Sequence, residues 1–160
     1  MKPQTFSSTH KFALLVATIL FFGGVVFFLH HTQSSAPTDA ASRDVQRISD
    51  LRQIQKELEV YFDKCGYYPG VAAIPNCGKY AANNTWAGLS AALIGSPIRI
   101  TSVPNDPTAG ANYVYVAMHQ GIGYVLGATL EDATNPVLTQ SVHGLVNGVN
   151  CDSPMYCVQL

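Results

Sequence analysis

Apolar residues recur along this chain in three rhythms, and each rhythm predicts a different element. From Phe12 to Leu29 the stretch "FALLVATILFFGGVVFFL" is an uninterrupted uncharged run of 18 residues. At about 1.5 Å per residue a helix of this length measures roughly 27 Å, close to the ~30 Å hydrocarbon core of a bilayer. From Val45 the rhythm changes to steps of three and four: Val45, Ile48, Leu51, Ile54, Leu58, Tyr61, Phe62 and Cys65. That spacing puts one apolar stripe on a helix of about 22 residues, with the charged residues assigned to its other faces. Ser42 or Asp39 is placed to cap its start. A shorter helix is read over Asn84–Gly95, with Trp86, Leu89 and Leu93 on one face, Thr85 or Asn84 as cap and Gly95 as stop. Beyond the loop "SVPNDPTAG", the Val- and Tyr-rich runs 112–118 and 123–131 read as an antiparallel hairpin across "HQGI". "VLTQSV", 137–142, is read as a third strand, and 151–160 as a Cys-bearing tail. Helix first and strands after give an α+β head in which the long helix packs on a small antiparallel sheet.

The end of the long helix is written in "DKCGYYPG". Gly66 suits the left-handed position just past a last turn, Tyr67 is expected to pack back on Phe62, and Pro69 keeps the helix from resuming. Phe62, Gly66, Tyr67 and Pro69 are therefore read as a structural junction.

Charge placement sets the topology and excludes one class of partner. Lys2 and Lys11 precede the apolar run, and the next Lys or Arg is Arg43. By the positive-inside rule the N-terminus is cytoplasmic and all that follows His31 lies outside. Residues 1–31 are accordingly read as a cytoplasmic stub and membrane anchor, 32–42 ("TQSSAPTDAAS") as a linker, and 43–160 as an extracytoplasmic head. A cleaved signal peptide is the alternative, with small residues near Ala36 and Ala40 as its cleavage region. The net charge of −1, with no cluster of Lys and Arg, gives no electrostatic footprint for nucleic acid. Ten of the charged residues fall between Arg43 and Lys64, whereas only Lys79, Arg99, Asp106, Glu131, Asp132 and Asp152 serve everything from Cys65 onward.

Candidate chemistry is sparse. With the head outside, the even number of cysteines, Cys65, Cys77, Cys151 and Cys157, argues for two disulfides. Three connectivities are open; the local pairs are favoured because each brackets a Pro-containing loop. Closing loops of these sizes is worth roughly 2–3 kcal/mol each in the chain-entropy model. Zinc or thiol catalysis would call for CxxC spacing or a partnered histidine, and His30, His31, His119 and His143 are scattered. Asp106, Glu131 and Asp132, with Asn135, are the candidate calcium ligands, the alternative being turn chemistry by the same side chains. There is no GxSxG, HExxH or Gly-rich phosphate loop, so no enzyme is expected and no cofactor beyond that calcium.

"DLRQIQKELEVYFDKCGYYPG" resembles the helix-to-loop junction of type IV pilin-like proteins, above all the major pseudopilin of type II secretion systems. Gln55, Leu58, Glu59, Tyr61, Gly66, Tyr68 and Pro69 carry the junction match, and Pro104, Asp106 and Pro107 match the loop that leads into the family's sheet. Cys151 and Cys157 are placed like the carboxy-terminal disulfide of many pilins. The family's processing Gly before an aromatic residue and its Glu early in the apolar run have no counterpart here. The resemblance implies membrane-anchored monomers whose apolar helices bundle into a filament, as a type IV pilus or a secretion-type pseudopilus. Its partners would be the membrane, further copies and other pilin-like subunits. The alternative is a signal-anchored extracytoplasmic binding module that does not polymerise.

Overall fold

The computed structural model describes residues 39–70, 72, 75–78 and 80–160; the predicted anchor and most of the predicted linker lie outside the described residues. Among the described residues no helix is long and apolar enough to cross a membrane. The head is α+β, with one long helix packed on a small antiparallel sheet.

Helix α1 spans Ala40–Cys65. Asp39 starts it by accepting the Ser42 backbone N–H and hydroxyl, each at 2.8 Å, so one unpaired donor of the first turn is satisfied. The helix therefore begins inside the stretch read as linker, before Arg43. It ends at Gly66, whose φ of 79° lets its N–H return to the Phe62 carbonyl at 2.7 Å. Leu51, Ile54, Leu58 and Tyr61 lie on the buried face, each fully or almost fully covered. Burial of each aliphatic side chain is worth about 1.5–3 kcal/mol.

The first turns depart from the expected pattern. The buried stripe continues toward the N-terminus through Asp50, Arg47 and Asp44, while Val45 is 66 % exposed. The charges expected on the outer faces here point inward.

Strands β1 (Val114–Met118), β2 (Gly123–Thr129) and a C-terminal strand, Met155–Gln159, form an antiparallel sheet with β2 in the centre. Between β2 and that last strand lie β3 (Leu145–Val146) and β4 (Val149–Asn150), a two-stranded hairpin, which makes the C-terminal strand β5. The β3–β4 turn is Asn147-Gly148 with φ of 47° and 87°, the both-positive geometry that matches strand twist. Tyr115 pairs with Leu126, and Leu126 with Val158. That register places Tyr113, Tyr115, Tyr124, Leu126 and Tyr156 toward α1 and the second helix, α2 (Trp86–Ile94, capped by the Thr85 hydroxyl on Gly88 N–H). The opposite sheet face buries Met118, Val125, Val149 and the Cys151–Cys157 pair.

Residues 137–142 do not form the third strand. Asn135 accepts the Val137 N–H, and Pro136 opens a short 3-10 helix, Pro136–Gln140, in which Leu138 is the buried side chain. The sheet's third strand comes instead from the stretch read as a tail. There Tyr156 and Val158 face the helices while Met155 and Cys157 face the other side, the period of two that a strand needs.

Candidate functional site

The head fastens its long helix at both ends. At the far end, Cys65, the last residue of α1, is bonded to Cys77 with Cα atoms 5.6 Å apart. The second disulfide, Cys151–Cys157, has the same Cα separation of 5.6 Å, so both expected local pairs are present. Past Gly66 the chain turns sharply, and Tyr68, not Tyr67, packs on the helix. The Phe62 and Tyr68 rings lie 4.7 Å apart, whereas Tyr67 is 49 % exposed. The left-handed residue reverses the chain, so one of two consecutive tyrosines faces the helix and the other faces water.

The residues that carried the junction resemblance share one task here. Tyr68 donates its N–H to the Gly121 carbonyl at 2.7 Å and its hydroxyl to both Glu59 oxygens at 3.0 Å. The Pro69 carbonyl accepts the Tyr115 hydroxyl at 2.8 Å. Leu58 and Tyr61 belong to the same core. Burial raises the Tyr68 phenol well above its ordinary range, with the Glu59 carboxylate beside it adding to the shift. Burial likewise pushes Tyr124, whose hydroxyl lies 3.4 Å from Glu59, up to about 12.

At the near end a charged cluster does the fastening. Arg47, 3 % exposed, engages every one of its five N–H donors. Nε and one Nη2–H grip Asp106 bidentately at 2.9 and 3.0 Å, and the second Nη2–H reaches the Thr108 hydroxyl at 2.8 Å. The Nη1 protons go to Asp44 and Glu131, each at 2.8 Å. Asp44, itself 1 % exposed, accepts the backbone N–H groups of Glu131 and Asp132 at 2.9 Å. Arg43 closes the outer side with a bidentate pair to Glu131 at 2.7 and 2.6 Å. One helical turn on, the Tyr113 hydroxyl donates to buried Asp50 at 2.7 Å. Three parts distant in sequence are thereby joined: the first turns of α1, the "PNDP" loop and the exit of β2.

Hydrogen bonds from Asp106 first, then Glu131 and Asp44, hold the Arg47 guanidinium protonated far above its usual range against the opposing effect of burial. Burial alone would raise Asp106, but the Arg47 and Thr108 hydrogen bonds overcome it and set it below the usual carboxylate range. The hydrogen bonds from Arg43 and then Arg47 bring Glu131 down to about 2. Asp50 moves the other way: its burial outweighs the Tyr113 hydrogen bond and raises it.

This arrangement decides what the calcium candidates do. Asp106 and Glu131 are brought together, but around a guanidinium, which fills the place between them and Asp44. Asp132 holds its own turn, accepting the Thr134 N–H and hydroxyl at 2.8 and 2.6 Å. Asn135 caps the 3-10 helix. Among the described residues no group of three or more His, Cys, Asp or Glu is arranged to hold a metal. His119 and His143 are exposed, and His30 and His31 lie outside the described residues. Arg47 and Asp44 were absent from the sequence-derived site, although a signal existed. Carrying the Leu58–Ile54–Leu51 stripe back by four and then three residues lands on Arg47 and Asp44.

The chain matches no protein-family model, and no curated protein or solved structure matches it significantly. Beside the Arg47 cluster an open groove runs along α2, lined by Tyr80, Trp86, Ser90, Ile94, Asn105 and Asn112, with the Trp86 indole N–H donating to the Asn105 side chain at 3.2 Å.

Proposed function

We propose that this protein is a membrane-anchored structural subunit of the pilin and pseudopilin type, whose extracytoplasmic head is carried on α1 and whose apolar segment 12–29 serves as anchor and assembly helix. It would be built into a type IV pilus or a type II secretion-type filament and catalyse nothing. One observation carries the reading: the junction residues Leu58, Glu59, Tyr61, Tyr68 and Pro69 tie the end of one long helix to the sheet, Gly66 caps that end, and the loop residue Asp106 holds the helix's first turns. A filament subunit needs that rigidity, because a head that swivels on its helix transmits neither position nor force. The two disulfides suit an oxidising extracytoplasmic setting.

Shearing expressing cells and imaging the released fraction with antibody against the head tests this. Labelled filaments are the expected outcome; a protein found solely as a dispersed membrane species would overturn it. A second reading, a non-polymerising anchored binding module, is favoured by the open groove along α2, where Tyr80 and Ser90 lie beside Asn105 and Asn112. Absence of filaments together with ligand protection of the exposed Tyr80 would select it.

A further inference from the structure

The three-stranded sheet has two edges, one met by an irregular segment of chain and the other by side chains alone. On the β5 edge the Ser141 hydroxyl accepts the Cys157 N–H at 2.9 Å, and the Val142 N–H donates to the Cys157 carbonyl at 3.2 Å, so residues 141–142 cover that side. The β1 edge is closed at a single residue. The Ala117 N–H donates to the Asn84 Oδ1 at 3.1 Å, and the Ala117 carbonyl accepts from the Asn147 Nδ2 at 3.3 Å. In an antiparallel ladder the outward N–H and C=O of one residue bond together to a single residue of the next strand. Two carboxamides, one from the loop before α2 and one from the β3–β4 turn, thus substitute for one residue of an additional strand. Both asparagines hold positive φ, 54° and 47°, a conformation that asparagine tolerates better than other side chains.

The segment behind this clamp needs guarding. "NYVYVAM", 112–118, carries no charge, no Pro and no Gly, and its run Tyr113–Val116 alternates aromatic and β-branched residues. Such a run on an open edge is a template for another chain, and charged or Pro residues are the usual protection. Here the amides supply it. We propose that the β1 edge is a strand-docking surface held shut by Asn84 and Asn147, and that its occupant when opened is the β1 edge of a second copy of this chain. A neutral segment meets no repulsion from its own copy, and two such edges pair antiparallel about a two-fold axis. An interface of that kind closes on itself as a dimer, so the clamp suppresses a closed pairing that would compete with any open-ended assembly. The inference is independent of the filament reading and stands if no filament is found.

The test uses the full chain in detergent. Glycine is the substitution of choice because it removes the amide at positive φ without backbone cost. Hydrogen exchange at the Ala117 amide should be slow in the wild type and in Asn84→Asp, which keeps an acceptor oxygen, and about tenfold or more faster in Asn84→Gly. The double variant Asn84→Gly/Asn147→Gly should sediment as a concentration-dependent dimer relative to the wild type. Equal Ala117 exchange in Asn84→Gly and the wild type would remove the clamp. Faster exchange with an unaltered oligomeric state in the double variant would remove the docking edge. If the double variant does not fold, Asn84→Gly and Asn147→Gly carry the test as single variants: a shift toward dimer in both supports the proposal, and wild-type sedimentation of both overturns it.

Discussion

Replacing Arg47 by Met tests whether the charged cluster fastens the helix or merely decorates it. The substitution keeps the length and apolar stem of the side chain but deletes five donors. Asp44 and Asp106, whose side chains are 1 % and 4 % exposed, lose their cation, while Glu131, a third exposed, keeps its pair with Arg43. Removing one partner of a buried, hydrogen-bonded ion pair costs about 3–5 kcal/mol, because the remaining charges stay desolvated. For a head of this size each kcal/mol lowers Tm by about 3–5 °C, so a fall of roughly 10–20 °C is expected at pH 7. The deficit should shrink on acidification, and its sign follows from the carboxylates. In the wild type Arg47 holds Asp106 below its ordinary value, so Asp106 contributes stability above its unfolded pKa that is lost as pH falls through the folded one; Glu131, brought down to about 2 first by Arg43, keeps that share in the variant. Without Arg47 the burial of Asp106 favours its protonated form, so the deficit is smaller near pH 3.5 than at pH 7. Asp44→Asn and Asp106→Asn added to Arg47→Met should restore part of the stability at pH 7. Circular dichroism melts of the full chain in detergent at both pH values suffice. A drop below about 3 °C at pH 7, or the same drop at both, would refute a buried charged clamp.

Gly66→Val should destabilise the head by about 1–2 kcal/mol through backbone strain alone, since nothing lies within 4 Å of the added Cβ at φ 79°. An unchanged Tm would take Gly66 out of the capping role. The two tyrosines of the junction should part company: Tyr68→Ala loses about 3–5 kcal/mol and Tyr67→Ala less than about 0.5, read as denaturation midpoints. Similar losses for both would mean that the wrong ring has been placed on Phe62. Cys65→Ser/Cys77→Ser should cost about 2–3 kcal/mol, and alkylation of the unfolded wild type should label its cysteines only after reduction. Labelling before reduction would show free thiols and remove the bonds.

What the sequence revealed was local, and what it hid was distant. The long helix, its Gly66 stop, the β1–β2 hairpin and both cysteine pairs lie in patterns of a few neighbouring residues, and each is present in the head. The inward turn of Asp44, Arg47 and Asp50 was not legible in the same way. Arg47 finds its carboxylates 59 and 84 residues further on, at Asp106 and Glu131. A periodicity window sees three charges and assigns them to water. The third strand was misplaced because "VLTQSV" has the β-branched composition of a strand, while Asn135-Pro136 favours a capped turn. The true strand is five residues long and follows Pro154, too short for its alternation to stand out. Tyr67 and Tyr68 are chemically identical, and only the left-handed residue before them decides which one turns inward.

The placement of the two fasteners also fixes how the head would carry a load. Tension applied where the chain enters α1 runs along the helix axis, parallel to the interface with the sheet. Arg47 resists it beside the entry point, and the covalent Cys65–Cys77 link resists it at the opposite end. The bonds between helix and sheet are therefore stressed in shear, all at once, and not peeled one after another from a free end. A sideways pull at Asp39 would load Arg43, then Asp44, then Arg47 one after another, which makes this head strong along one direction and weaker across it.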